Sequence, residues 1–400
     1  TLNKIKIKIM RLHVVAPIKK IIIRLNLVNL LSLPLLIFRL CGIKRNKIVF
    51  SNYSGQGFGD NAKYIYQHLP AAKVDVCWLV TKRYANIPHE IRQVKIGTIA
   101  YFYHLATAKI WVNNMRFDQY VKKSKRQYYI QTWHGDLQLK KIEYDAIDKM
   151  VEYYKKCMKN DTRMTDLMIS NSEHFTTICR RAFRFDGEVM EVGSPRNDIL
   201  FCPDPKIRQK VLDYFGNISS EEKICLYAPT FRKSYRNNPY DLNPREIKEQ
   251  LEASTGQKWN VLVRLHPNIK NPEELIKNLD STENANNYPD MQELIMSCDL
   301  LITDYSSVMF DAMIVGKPVV LYIADYKDYA EERDYYFGFD ELPFDIAYSH
   351  SDIIRIIADN SYGRFRDRYA AFEKRVGLKE TGRAGKLVAD KIIQVIGEDK

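Results

Sequence analysis

Residues 298–322 read CDLLITDYSSVMFDAMIVGKPVVLY. Leu300 to Thr303 is an apolar run of strand length and Val319 to Tyr322 is another, and the segment between them is helical and closed by Gly316 and Pro318. The order is strand, turn, helix, strand. In an open parallel sheet such a turn lies at the carboxyl ends of the strands, where ligands bind, and the next helix offers unpaired N–H groups to an anion. Asp304, Ser306 and Ser307 therefore have two readings, as helix caps or as ligands of a phosphate.

The same unit recurs outward in both directions. Upstream, KIVFSNYSGQGFGDNAKYIYQHL (47–69) gives a strand at Ile48–Phe50, a loop with Gly55, Gly57 and Gly59, and a helix capped by Asp60 or Asn61. The glycine spacing departs from the dinucleotide fingerprint. Further strands are expected at Val74–Val80, at Ile110–Asn113 after a helical segment Thr98–Ala108, at Tyr129–Thr132, and at Leu167–Ser170 and Val189–Val192. The Ile110 strand ends in Asn113 and Asn114. The Tyr129 strand ends in Trp133, His134 and Gly135, which places a histidine suited to proton transfer at a strand outlet. A hydrogen-bonded structural histidine is the alternative.

Two prolines in Phe201–Pro205 break the pattern, and the domain boundary is placed there. Ile224–Tyr227 and Asn260–Leu265 are then strands leading to Arg232 and to His266, which Pro267 holds extended. Met291–Ser297, Arg364–Gly377 and Ala384–Ile396 read as helices. Strands alternating with helices imply an α/β protein with mainly parallel sheets. At 400 residues and 46% hydrophobic content, two domains are expected. They span residues 45–203 and 204–400.

Residues 1–44 mix apolar runs with lysine and arginine. Asn26, Asn29, Pro34 and Arg39 interrupt the most apolar part, which argues against a spanning helix. Amphipathic helices on an anionic membrane surface fit the pattern, with helices packed on the protein as the alternative. Seven scattered cysteines without CxxC pairs point to neither zinc nor disulfides, and suit a reducing compartment. The net charge of +12 with 26 tyrosines is compatible with nucleic acid, anionic lipid or a polyanionic substrate.

Taken together, WHG at Trp133–Gly135, Lys140 and Lys141, GSPRND at Gly193–Asp198, YAPTFR at Tyr227–Arg232, RLHPN at Arg264–Asn268, and TDYSS with GKP resemble the CDP-glycerol glycerophosphotransferase family of teichoic acid and capsule primases and polymerases. The resemblance implies two Rossmann-like domains facing across a cleft, GT-B-like, with the nucleotide held mainly by the second. It implies a CDP-glycerol or CDP-ribitol donor, a lipid-linked polymer acceptor, no nucleic acid partner and no cofactor. The protein would then sit peripherally on the cytoplasmic face of the membrane.

On this reading His134 takes the acceptor hydroxyl proton and His266 stabilises charge on the pyrophosphate or the leaving CMP. Arg232, Thr303, Asp304, Ser306 and Ser307 form the donor site, and Asp311 accepts from the ribose hydroxyls. Asn61, Asn113 and Asn114 lie on the acceptor side. No acidic cluster has metal spacing, so no bound metal is expected. Asp136, Leu137 and Gln138 depart from the family, whose members often carry a small or hydroxylated residue followed by proline there. Two rivals remain: a GT-B glycosyltransferase, which would release a nucleoside diphosphate instead of CMP, and a non-catalytic binder of anionic polymers.

Overall fold

The computed structural model describes residues 28–398, apart from 203, 231, 233–241, 266–268, 270–281 and 333. Within these, thirteen strands pair in parallel as two sheets. The first sheet comprises Lys44–Ser51 (β1), Asp75–Val80 (β2), Arg92–Lys95 (β3), Ala108–Asn113 (β4), Tyr128–Gln131 (β5), Leu167–Ser170 (β6) and Glu188–Glu191 (β7). The second comprises Lys223–Ala228 (β8), Trp259–Val263 (β9), Thr282–Asn284 (β10), Leu300–Thr303 (β11), Val319–Tyr322 (β12) and Asp345–Ala347 (β13). Their orders are β3-β2-β1-β4-β5-β6-β7 and β10-β9-β8-β11-β12-β13.

Both sheets reverse strand order once, between β1 and β4 and between β8 and β11. A crevice opens at the carboxyl ends of the strands at each reversal. Ser51 is paired with Asn113 at the first and Ala228 with Thr303 at the second, so the polar segments that follow these residues emerge side by side. Alternation along the strands fills both faces. Ile48 and Phe50 pack on one side of the first sheet with Trp78, while Val49 packs on the other with Trp111 and Tyr129.

The last helix corrects the domain boundaries. Ala384–Glu398 belongs by sequence to the second half, yet Val388, Ala389, Ile392 and Val395 complete the core around Ile48, Phe50 and Ile65 of the first sheet. Asp198 anchors it by accepting from the N–H groups of Ala384 and Gly385 at 2.9 and 2.6 Å. The cap of the helix Asp60–Tyr66 also differs from expectation: Gly59 is the cap, and Asp60 is already inside with a φ of 53°.

The expected amphipathic segment falls partly outside the described residues, which begin at Val28. The helix Leu33–Phe38 packs on the first domain through Leu35, which is fully buried among Val49, Leu105 and Trp111. Among the described residues, no helix is long and apolar enough to cross a membrane.

Candidate active site

The WHG loop leaves β5, the strand next to β4 at the reversal of the first sheet, and its Gly135 comes up against Ser307 of the second domain. Trp133 has a φ of 52° and Gly135 one of 150°, so the chain turns sharply on either side of His134. His134 Nδ1 lies 2.6 Å from the carbonyl oxygen of Asn114. A carbonyl can only accept, so Nδ1 carries the proton and Nε2 keeps its lone pair. Burial pushes the imidazole pKa below its ordinary 6.5, the Asn114 bond opposing this in part, which favours the neutral ring. This is the state a general base requires.

The three asparagines expected on the acceptor side all have their side chains committed inside the protein, and Asn61 and Asn114 hold this loop. Asn61 is fully buried and donates to the carbonyls of Thr132 and Trp133 at 3.3 and 3.1 Å. Asn114 donates to Asn52 and Asp60 and accepts from the Tyr53 N–H at 2.8 Å. Asn113 closes a turn on Met115. Asn61 and Asn114 orient the loop that carries the histidine, and all three asparagines are buried rather than open to an acceptor, which corrects the expectation.

At the second reversal point the donor residues divide into two kinds. Thr303 is buried and donates to Ala228 O at 2.7 Å. Asp304 is buried and accepts from the N–H groups of Thr230 and Tyr305. Arg232 uses all five of its donors: two on Asp325, one on Asp304, and two on the carbonyl and hydroxyl of Thr230. It also lies over the stacked rings of Tyr305 and Tyr329. A guanidinium so engaged has nothing left for a phosphate, and its assignment as a direct ligand is corrected.

Ser306 and Ser307 remain half-exposed. Ser307 stands at the cap position of the helix Val308–Ile314 in helical conformation and makes no side-chain capping bond. Its hydroxyl is therefore not spent on capping this helix. It also faces the first domain, because a Cβ built on Gly135 would lie 2.9 Å from Ser307 Oγ.

Asp311 is buried and accepts from Arg196 Nη2 at 2.9 and 3.0 Å, with further bonds from Asn197 and Gln292. Arg196 pairs in turn with Asp60 of the first domain at 3.3 Å. Asp311 is thus an inter-domain anchor rather than a free acceptor for ribose hydroxyls, another correction. Sequence reasoning missed the Asp60–Arg196–Asp311 bridge; the arginine lay within the GSPRND motif, but nothing in the spacing named its partners. His266 lies outside the described residues.

Beside the bridge, Ser194 joins two carboxyl groups, the buried Asp136 and the partly buried Glu380. Its hydroxyl donates to Asp136 and its N–H to Glu380 at 3.1 Å, while Asn171 and Asn197 also donate to Glu380. Burial pushes Asp136 up to about 7 and Glu380 up to about 8. Among the described residues, no group of three or more His, Cys, Asp or Glu side chains is placed to hold a metal ion.

The chain is similar to known proteins along most of its length. The family model described as CDP-Glycerol:Poly(glycerophosphate) glycerophosphotransferase matches residues 34–394. A teichoic acid poly(glycerol phosphate) polymerase of Bacillus spizizenii is 28% identical over 377 residues, covering 90% of this chain and 95% of that one. A teichoic acid ribitol-phosphate primase of the same organism is 28% identical over 378 residues, covering 89% and 92%. The structure of a variant of the wall teichoic acid polymerase TagF soaked with CDPG superposes with a TM-score of 0.80 at 29% identity, over 94% of this chain and 95% of that one.

Proposed function

Because this chain belongs to the CDP-glycerol:poly(glycerophosphate) glycerophosphotransferase family, we propose that it transfers a polyol phosphate from a CDP-activated donor to a hydroxyl of a teichoic-acid-like acceptor. The observation that carries the mechanism is the placement of His134, neutral and with Nε2 available, on the loop that touches Ser307. The donor lies at the reversal point of the second sheet, with its diphosphate against the hydroxyls of Ser306 and Ser307. The acceptor hydroxyl attacks the β-phosphorus and its proton passes to His134 Nε2. A new P–O bond forms as the anhydride bond breaks, and CMP leaves. His266 stabilises the charge on the leaving group.

Phosphoryl transfer depends mostly on positioning and charge stabilisation. The bridge from Asp60 through Arg196 to Asp311 supplies positioning by fixing one domain against the other. Arg232 supplies it on the donor side by holding Asp304 and the turn that carries the serines. Glycerol phosphate is the first choice of transferred group, with ribitol phosphate as the alternative. The acceptor is lipid-linked, and residues 1–44 bring the protein to the cytoplasmic face of the membrane.

The test is incubation with CDP-glycerol and with CDP-ribitol over a panel of lipid-linked acceptors, with mass analysis of both products. Acceptor extended by one or more polyol phosphates with release of CMP is expected. Transfer of a sugar with release of a nucleoside diphosphate would overturn the assignment.

A further inference from the structure

Asp136, Leu137 and Gln138 follow the WHG motif, and the fold gives each a different place. Asp136 is spent on Ser194. Leu137 and, one residue beyond Gln138, Leu139 are buried in the core of the second domain with Tyr305, Val308 and Met309. Leu139 O accepts from the Tyr336 N–H and the Lys141 N–H donates to Asp334 O, both at 2.7 Å. The second domain thus grips the chain on either side of Gln138, through Leu137 before it and through Leu139 and Lys141 after it.

Gln138 is only 9% exposed, and among the described residues its amide has no hydrogen-bond partner. Burying an unpaired amide opposes folding, and a ligand that pairs with it recovers that cost. The amide is aimed at the seam between the domains: its Nε2 lies 3.1 Å, and Ser307 Oγ 2.9 Å, from the one point where a Cβ on Gly135 would stand. We propose that Gln138 reads the polyol of the CDP-activated donor, its amide hydrogen-bonding the hydroxyl on the carbon next to the phosphoester. The inference rests on the transferase reading above, which seats the diphosphate on Ser307 and so hangs the polyol beside it. A phosphate oxygen only accepts, whereas a hydroxyl donates and accepts, and a carboxamide has both functions to match it. The flanking leucines hold the residue in advance, so little side-chain freedom is lost when the hydroxyl arrives.

The test compares kcat/KM for CDP-glycerol with that for CDP-propane-1,3-diol, which lacks the central hydroxyl, using one acceptor throughout. If ribitol is the group transferred, CDP-ribitol and its analogue without the hydroxyl next to the phosphoester take their place. Wild type should favour the complete donor by about tenfold. Gln138→Met, which keeps the length of the side chain and removes the amide, should bring the ratio to about one by slowing the complete donor alone. Gln138→Ala is the second variant, with thermal unfolding measured for both. The ratio is taken within one preparation, so a loss of folded protein cannot mimic the result. A wild type indifferent to the missing hydroxyl, or variants that slow both donors equally and keep the wild-type ratio, would overturn the inference while leaving the transferase reading intact. A wild type that transfers no polyol phosphate from either CDP-polyol overturns both.

Discussion

Gly135 on the WHG loop of the first domain lies so close to Ser307 of the second that a Cβ at position 135 would stand 2.9 Å from the serine oxygen. The proposed base and the proposed phosphate seat are thus neighbours across the domain junction, and their separation is set by a missing side chain. Glycine is required twice over, since φ at this position is 150°.

Gly135→Ala should therefore damage catalysis more than stability. Backbone strain of about 1–3 kcal/mol is expected, whereas a displacement of about 1 Å between reacting groups can cost about a hundredfold in rate. Steady-state kinetics beside thermal unfolding will separate the two. A variant with wild-type kcat would show that the contact does not set the catalytic geometry.

His134→Gln should lower transfer by about 10²–10⁴-fold, the usual contribution of a positioned base, while nucleotide affinity is kept. The wild-type rate should hold as pH falls to 6.5 and decline only below it, because burial lowers the folded-state pKa beneath that value. The same shift makes the unfolded chain bind more protons than the folded one. The His134 contribution to stability is consequently present above pH 6.5 and is lost as pH falls through the lowered pKa. An acid limb in the kcat/KM profile centred above 6.5 would remove His134 from the role of base.

The strands that carry the site were legible because buried parallel strands are apolar runs, as IVF at Ile48–Phe50 and LLI at Leu300–Ile302 show. Three strands were missed. RQVK, TEN and DIA at β3, β10 and β13 are short, half-polar and at sheet edges, and so carry no such run. His134 and the two serines could be found at strand outlets. Arg232 and Asp311 could be found too, but not that ion pairs had consumed them, because Asp325 and Arg196 lie about a hundred residues away from them in the chain. An amphipathic pattern at 384–398 likewise states that one face is buried and not which sheet covers it.

Arg232→Ala should destabilise the second domain by about 3–5 kcal/mol, because removal of the guanidinium leaves Asp304 and Asp325 without their shared cation. Arg232→Lys should recover only part of this, a single ammonium being unable to serve both carboxylates and Thr230 together. Denaturant unfolding and calorimetry with CDP are the measurements. Normal stability with lost CDP affinity would restore Arg232 as a direct phosphate ligand.

Asp136 and Glu380 make the opposite pH signature to His134. Their folded-state pKa values, about 7 and about 8, exceed the ordinary carboxylate values of 3.8 and 4.5. The folded chain therefore binds more protons between these limits, and their contribution is present below pH 4 and lost as pH rises through 7 and 8. Asp136→Asn and Glu380→Gln should each flatten the fall in unfolding temperature between pH 5 and 8.5. An unchanged slope in both would mean that the two carboxyls are not held protonated.

Deletion of the amino-terminal segment can be placed more exactly now that Leu35 is known to be buried in the first core and Arg45 to donate to the carbonyl oxygens of Ile396 and Gly397. Removing residues 1–27 should leave the catalytic domains folded. Removing residues 1–43 also takes out Leu35 and should cost at least the 2–5 kcal/mol typical of a lost core leucine. The shorter deletion is the informative one for function, since it takes cations from an anionic surface at about 1 kcal/mol each without opening the core. It should reduce turnover on a lipid-embedded acceptor more than on a soluble analogue, because only the former must be met in the plane of the membrane. Paired assays with both acceptors, run beside vesicle flotation, decide the matter. Equal losses on the two acceptors, or undiminished flotation, would show that residues 1–27 do not deliver the enzyme to its acceptor.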